Sequence, residues 1–307
     1  MSTAEIVHLR AADGYPLVAL RYVPPRSADP ALPAARPAGR ILVAGATGVP
    51  QKFYRRFAQH AAQQGFEVLT LDYRGIGLSR PASLRGFRMN YLDWAQLDLA
   101  AAVDHLADGP TPLFMIGHSF GGHAFGLLPN HERVQRFYTF ATGAGWHGWM
   151  PRLEQLKVRL MWSVVGPALV RWKGYLNWSL LGMGEDLPKA VFLQWRHWCR
   201  FPRYFFQDPA MPGLDERFAQ VRTPIIAANA LDDLWAPPRS RDAFMAAYRQ
   251  APVQTLDLSP RDLGVAGIGH MGYFRPSSQR LWDAALQWFA QHGSADAARL
   301  GAAAAPA

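Results

Sequence analysis

Cysteine is almost absent. Cys199 stands alone, so no disulfide can form within the chain. This fits a reducing compartment and makes the cytoplasm the expected location. Long apolar runs are also missing. Met1 to Arg21 contains no basic segment followed by a sustained apolar one, so no secretory signal is expected. The most apolar stretch, Leu160 to Val170, is broken by Gly166 and Pro167 and bounded by Arg159 and Arg171. It is too short to cross a bilayer, so no integral membrane association is expected. Blocks of like charge are missing as well. The net charge of +9 comes mostly from arginines spread singly, without the runs that mark a nucleic-acid-binding tail.

What is present is globular composition: half of the 307 residues are apolar and 18% are charged. Ile6 to Leu9 and Leu17 to Leu20 flank Asp13-Gly14, a turn dipeptide, and predict an antiparallel hairpin. Pro24 to Gly39 reads as a loop. Buried-strand runs follow at Ile41–Ala44, Phe66–Leu71, Leu113–Ile116 and Phe137–Phe140. Helical patterns lie between them: Phe53, Phe57 and Ala61 share a face ended by Gly65, Leu92 to Leu106 places Asp93 and Asp98 on a polar side, and Phe120 to Leu128 is helical. Such alternation predicts an α/β fold, a mostly parallel sheet with helices on both faces.

The rhythm breaks between Gly143 and Pro209, a helix-like stretch holding seven tryptophans: Trp146, Trp149, Trp162, Trp172, Trp178, Trp195 and Trp198. It then resumes with strands at Pro224–Leu231 and Val253–Leu258 and helices at Arg239–Tyr248 and Ser277–His292. The expected organisation is a core from residues 1–142 and 210–292, a helical cap from 143–209, and an Ala-rich, frayed tail from 293–307.

A serine hydroxyl is a poor nucleophile at neutral pH and needs a base, an acid to orient that base, and donors for an oxyanion. Gly117-His118-Ser119-Phe120-Gly121 sits between a predicted strand and a predicted helix, the setting of a nucleophile elbow. The pattern alone recurs by chance in a chain of this size with a probability on the order of 10%, so its context carries the argument. Asp232 and Asp233 follow a later strand, and either can supply the acid. Ile268-Gly269-His270-Met271-Gly272 lies after the last strand, which makes His270 the base ahead of His118, His123, His131, His147 and His197. The oxyanion donors expected are the backbone N–H groups of Phe120 and of Ala46, in the small-residue loop Ala44 to Gly48. That loop lacks the Lys-Ser/Thr ending of a phosphate-binding P-loop.

Taken together, these residues resemble the α/β-hydrolase superfamily, and within it the serine aminopeptidase-type or monoacylglycerol-lipase-like hydrolases. The motifs carrying the likeness are LVAGATG (Leu42 to Gly48), LDYRGIGLS (Leu71 to Ser79), GHSFGG (Gly117 to Gly122), ALDDLWAP (Ala230 to Pro237) and GIGHMG (Gly267 to Gly272). The resemblance implies an α/β-hydrolase fold with a structural Asp72 turn, and it places the acid at Asp233 with Asp232 as its neighbour. One departure is Ala44-Gly45, where the family usually has His-Gly. The implied activity is serine hydrolysis of a carboxylic ester, on a small-molecule substrate, with no cofactor and no metal; the tryptophan-rich segment from Gly143 to Pro209 adds the expectation of an apolar acyl or aromatic group. Aminopeptidase, amidase or acyltransferase action fits the same three residues. A non-catalytic binding protein on this scaffold usually lacks one of them. Relatives that are dehalogenases or epoxide hydrolases carry aspartate at the elbow. A homodimer is left open.

Overall fold

The structure is a computed structural model and describes residues 4–25, 36–182 and 184–292. The expected tail 293–307 and residues 26–35 of the Pro24–Gly39 loop therefore lie outside the described residues.

Eight strands form one sheet: β1 (Ala4–Arg10), β2 (Pro16–Tyr22), β3 (Gly39–Ala44), β4 (Phe66–Leu71), β5 (Leu113–His118), β6 (Val134–Phe140), β7 (Ile225–Ala230) and β8 (Val253–Leu258). Their order is β1-β2-β4-β3-β5-β6-β7-β8. β1 and β2 pair antiparallel through a turn at Gly14, whose φ of +86° is cheap only for glycine. β2 also meets β4 antiparallel, and every later pairing is parallel. The fold is the α/β-hydrolase fold that the resemblance implied, and its mostly parallel sheet accompanied by helices is what the alternating pattern predicted.

Ten helices accompany the strands among the described residues: α1 (Arg55–Gln63), α2 (Ala100–Leu106), α3 (Phe120–Ala124), α4 (Arg152–Leu160), α5 (Gly166–Lys173), α6 (Lys189–Trp198), α7 (Leu214–Ala219), α8 (Pro238–Met245), α9 (Pro260–Leu263) and α10 (Gln279–Ala290). The central strands are buried on both faces, and their side chains alternate between two cores. Leu42, Ala44 and Met115 face a core with Leu99, Val103, Phe125, Phe218 and Phe244. Ile41, Val43, Phe114 and Ile116 face the other, closed by Phe57 and Ala61 of α1 and by Leu281, Ala285 and Phe289 of α10. Each fully buried Val, Leu, Ile, Phe or Met among them contributes about 1.5–3 kcal/mol.

The reading of Asp98 as part of a polar helix face is overturned. Asp98 is completely buried in the π-helical turns Trp94–Leu99 that lead into α2. It accepts from the backbone N–H of Arg74 and from its guanidinium, both at 2.8 Å, while the same guanidinium pairs with Asp13. Burial pushes the Asp98 carboxyl up to about 6 despite the arginine. Periodicity shows which residues share a face, and an ion pair let this polar face turn inward.

Between β6 and β7 the chain runs through α4, α5, α6 and α7, joined by short 3₁₀ and π-helical turns. Two of its acidic residues tie it to the turn after β4: Glu185 accepts the Gly77 N–H at 2.8 Å, and Asp186 pairs with Arg80 at 3.3 Å. Among the described residues no helix is long and apolar enough to cross a membrane.

Candidate active site

The topology selects the location. After β3 the chain goes to β4 on one side, then returns to place β5 on the other. The loops leaving the C-terminal ends of β3 and β5 therefore diverge and open a crevice between them, the usual ligand position in such sheets. Ala44 pairs with Gly117 across this opening, which brings the Ala44–Gly48 loop beside the turn at Ser119.

That turn is tight. Ser119 has φ +53° and ψ −109°, a conformation that costs energy for a residue with a side chain. Its N–H donates to the Phe140 carbonyl of β6 at 2.9 Å. Gly121 permits the packing that follows: a Cβ there would lie 2.6 Å from the Ala44 carbonyl carbon and closer still to its oxygen. The flanking glycines let α3 start directly against β3, with the Ser119 side chain left in the crevice.

Three distant segments converge on Ser119. His270 Nε2 lies 3.1 Å from Ser119 Oγ, and His270 Nδ1 lies 3.0 Å and 3.1 Å from the two Asp233 oxygens. Asp233 is buried and also accepts the N–H groups of Trp235 and Ala236, each at 2.9 Å, and the Tyr273 hydroxyl at 3.2 Å. Burial alone would raise its carboxyl, but the adjacent His270 and these donors hold it below the ordinary value. A carboxylate at Nδ1 places the ring proton there and leaves Nε2 to accept from the Ser119 hydroxyl.

Asp232 does something different. Its two oxygens accept the N–H groups of Ile268 and Gly269, at 2.9 Å and 3.1 Å. It braces the backbone of the loop that carries His270, while its neighbour meets the ring.

The loop after β3 departs from expectation. The Ala46 N–H, expected to face an oxyanion, donates instead to the Tyr54 hydroxyl at 2.7 Å in a buried contact. Its direction follows from that tyrosine, which the local sequence does not reveal. The Thr47 N–H on the same loop has no acceptor among the described residues. Phe120 N–H opens α3, where helix geometry leaves it without an intrahelical partner.

Two cavities meet at Ser119 and His270. One, of about 240 Å³, is lined mainly by apolar groups including Met150, Val158, Met161, Trp162 and Cys199. The other, of about 450 Å³, opens along Ala46 to Pro50, Phe53 and Met271. Trp178, Trp195 and Trp235 border both. Trp235 sits with its ring centre 5.6 Å from that of His270, and its Nε1–H donates to Glu154 of α4 at 3.0 Å. Glu154 is mostly covered and also pairs with Lys157 at 3.2 Å.

Of the seven tryptophans, Trp162, Trp178 and Trp195 thus reach the cavities. Trp198 is buried against Asp208, while Trp172 is exposed. The alternative histidines have other partners: His123 Nε2 meets the Gly143 carbonyl at 2.8 Å, and His197 lies 3.3 Å from Asp208. Tyr54, Tyr273, Trp235 and Glu154 were not singled out in the sequence. Only Trp235 stood inside a recognised motif, ALDDLWAP.

An eight-stranded, mostly parallel sheet with a serine at its elbow and a histidine and an aspartate brought to it defines a class: this is the α/β-hydrolase fold, carrying the side-chain arrangement seen in serine-type hydrolases. More narrowly, the model of the family described as serine aminopeptidase, S33, matches residues 36–183. A segment of 86 residues is 31% identical to monoglyceride lipase of Saccharomyces cerevisiae; it covers 27% of this chain and spans 28% of that protein's length. The structure of a soluble variant of that yeast lipase, in complex with a substrate analogue, superposes with a TM-score of 0.67 at 16% identity, covering 95% of this chain and 96% of that one. A puromycin-hydrolyzing peptidase of Mycobacterium tuberculosis gives a TM-score of 0.59 at 15% identity, covering 95% of this chain and 39% of the other. At these identities the structural likeness speaks for the fold.

Proposed function

We propose that the protein hydrolyses a carboxylic ester with an apolar acyl or aromatic group, through an acyl-enzyme on Ser119. The observation that carries this reading is the continuous chain from Ser119 Oγ through both nitrogens of His270 to the buried Asp233. His270 Nε2 takes the Ser119 proton as Oγ attacks the acyl carbonyl, and Asp233 stabilises the imidazolium that results. Phe120 N–H donates to the oxyanion. The second donor comes from the Ala44–Gly48 loop, where the Thr47 N–H has no acceptor among the described residues. His270 then protonates the leaving alcohol, and a water deprotonated by the same ring releases the acid.

Residues 143–209 act in this reading as a cap, and the 240 Å³ apolar cavity beneath it receives the acyl or aromatic group. The partner is a small molecule, and the cytoplasm remains the proposed location. Amide cleavage from a free N-terminus is less favoured, because it calls for carboxylates free to hold an amine. Glu185 and Asp186 are engaged with Gly77 and Arg80, and Glu154 with Trp235 and Lys157. Acyl transfer to another acceptor uses the same residues and is separated by product analysis. A purely binding role predicts no covalent labelling by a fluorophosphonate.

The test is Ser119→Ala. Hydrolysis of short p-nitrophenyl esters and fluorophosphonate labelling are both expected in the wild type and lost in the variant. Undiminished ester hydrolysis by pure Ser119→Ala would sink the assignment.

A further inference from the structure

His118, the residue before the nucleophile, is fully buried and faces away from the crevice. Its ring nevertheless touches the machinery from behind. Nε2 lies 2.9 Å from the backbone carbonyl oxygen of His270. A carbonyl can only accept, so Nε2 carries the proton and Nδ1 of the neutral ring is bare. The Tyr54 hydroxyl, 3.0 Å from that Nδ1, must then donate to it. The same oxygen accepts the Ala46 N–H.

One carbonyl thus sets the direction of the whole chain: Ala46 N–H to Tyr54 Oη, Tyr54 O–H to His118 Nδ1, and His118 Nε2–H to the His270 carbonyl. Phe274 packs edge-on against Tyr54 at 4.8 Å between ring centres and lies 5.2 Å from His118, which helps close the chain off from water.

We propose that His118 and Tyr54 are positioning residues, forming a buried neutral strut that holds the backbones of His270 and of the Ala46 loop at fixed distances from the elbow. The proposal rests on the reading of Ser119 as nucleophile. The need for a strut is visible in the loop that carries His270. It runs through Gly264, Gly267, Gly269 and Gly272, with Gly269 at φ +53°. Asp232 anchors it only through residues 268 and 269. The bond from His118 is the one that reaches the His270 backbone directly from the elbow. Because His118 is covalently next to Ser119, it ties the base to the nucleophile through the main chain of both, independently of Asp233. The other end reaches Ala46 and so fixes the loop that borders the oxyanion position. Misplacing reacting groups by about 1 Å costs on the order of 100-fold in rate, so a loop left free to drift lowers turnover without removing any reacting group.

The experiment compares Tyr54→Phe, His118→Leu and His118→Gln, with each variant's active sites counted by fluorophosphonate titration and its thermal midpoint measured. Expected for Tyr54→Phe and His118→Leu is a fall in kcat per titrated site of about 10- to 100-fold, with KM within about threefold. His118→Gln can still donate to the His270 carbonyl and is expected to recover part of that loss. A kcat per titrated site within twofold of wild type in both Tyr54→Phe and His118→Leu, whatever the thermal midpoint, overturns the strut.

A second measurement needs neither activity nor a folded variant. In the ¹⁵N-histidine-labelled wild type, His118 is expected as the neutral Nε2–H tautomer throughout pH 5 to 9. An Nδ1–H tautomer, or titration inside that range, overturns the strut even if the protein hydrolyses esters. Inertness of the wild type toward every ester and toward the fluorophosphonate refutes the proposed function instead.

Discussion

Replacing Gly121 by alanine tests the elbow where its geometry is tightest. The added Cβ would lie 2.6 Å from the carbonyl carbon and 2.9 Å from the Cβ of Ala44. Non-bonded carbons settle at about 3.5–4.0 Å, so the overlap is roughly 1 Å. The atoms met are backbone and Cβ of β3, which is hydrogen-bonded on both sides in the middle of the sheet and cannot yield. Relief requires α3 to lift from β3, which loosens the packing of Phe120 and Phe125. Overpacking of this kind costs about 3 kcal/mol or more when no side chain can rotate away. Gly14→Ala is the control: its φ is positive, unlike that of Gly121, but nothing lies within 4 Å of the added Cβ, and the expected cost is about 1–2 kcal/mol. Equilibrium urea unfolding measures both, with ester turnover per titrated site read alongside. Gly121→Ala is expected to lose at least twice the stability of Gly14→Ala, and its remaining folded fraction to react on the order of 100-fold more slowly. A Gly121→Ala protein within about 1 kcal/mol of wild type would refute the tight-elbow argument.

Three further outcomes are expected. Asp233→Asn should lower kcat by on the order of 10⁴ by favouring the wrong His270 tautomer, whereas Asp232→Asn, which disturbs only the backbone brace, should cost about tenfold; equal losses would contradict the division of roles. Trp235→Ala removes a wall between the two cavities and should raise kcat/KM for long or bulky acyl esters relative to acetate by about tenfold, and an unchanged ratio across an ester panel would speak against that wall. Acid should weaken the fold before any carboxylate of ordinary pKa titrates. Burial holds His118 at about 3 and His123 at about 4, while in the unfolded chain both titrate near 6.5. Between these values the unfolded chain binds protons that the native one excludes. This stability is therefore complete above the unfolded value and falls as the pH drops, by about 2 kcal/mol per histidine from pH 7 to pH 5. Asp98, raised to about 6, works the other way and returns about 1 kcal/mol over the same interval. Stability that stays level or rises from pH 7 to pH 5 in urea titrations would contradict the neutral burial of the two histidines.

How much was legible beforehand follows from the range of each signal. The hairpin, the buried strands and the residues flanking Ser119 depend on alternation and turn chemistry within a few residues, so they could be read directly. The closing helix was read from Ser277 to His292, while α10 itself occupies Gln279–Ala290 after a single 3₁₀ turn. The short α7 and α9 went unnoticed because four to six residues carry too little periodicity. Asp98 was misread because an amphipathic pattern cannot tell solvent from a buried arginine. Ala46 was misread because the direction of a backbone N–H depends on what lies opposite it, here a hydroxyl eight residues on.

The sequence by itself determined the order of strands and helices, the elbow at Ser119 and the three residue types a serine hydrolase requires, because each is written in local spacing. Tertiary structure decided what those residues face. It set Asp233 against His270 and Asp232 against the loop backbone, although the two are adjacent in the chain and chemically identical. It turned His118 inward to the His270 carbonyl and sorted the tryptophans into cavity walls, buried packing and exposed surface. The physical reason is common to all of these: hydrogen bonds and burial are properties of opposed surfaces, and the opposing surface comes from residues tens to more than a hundred positions away.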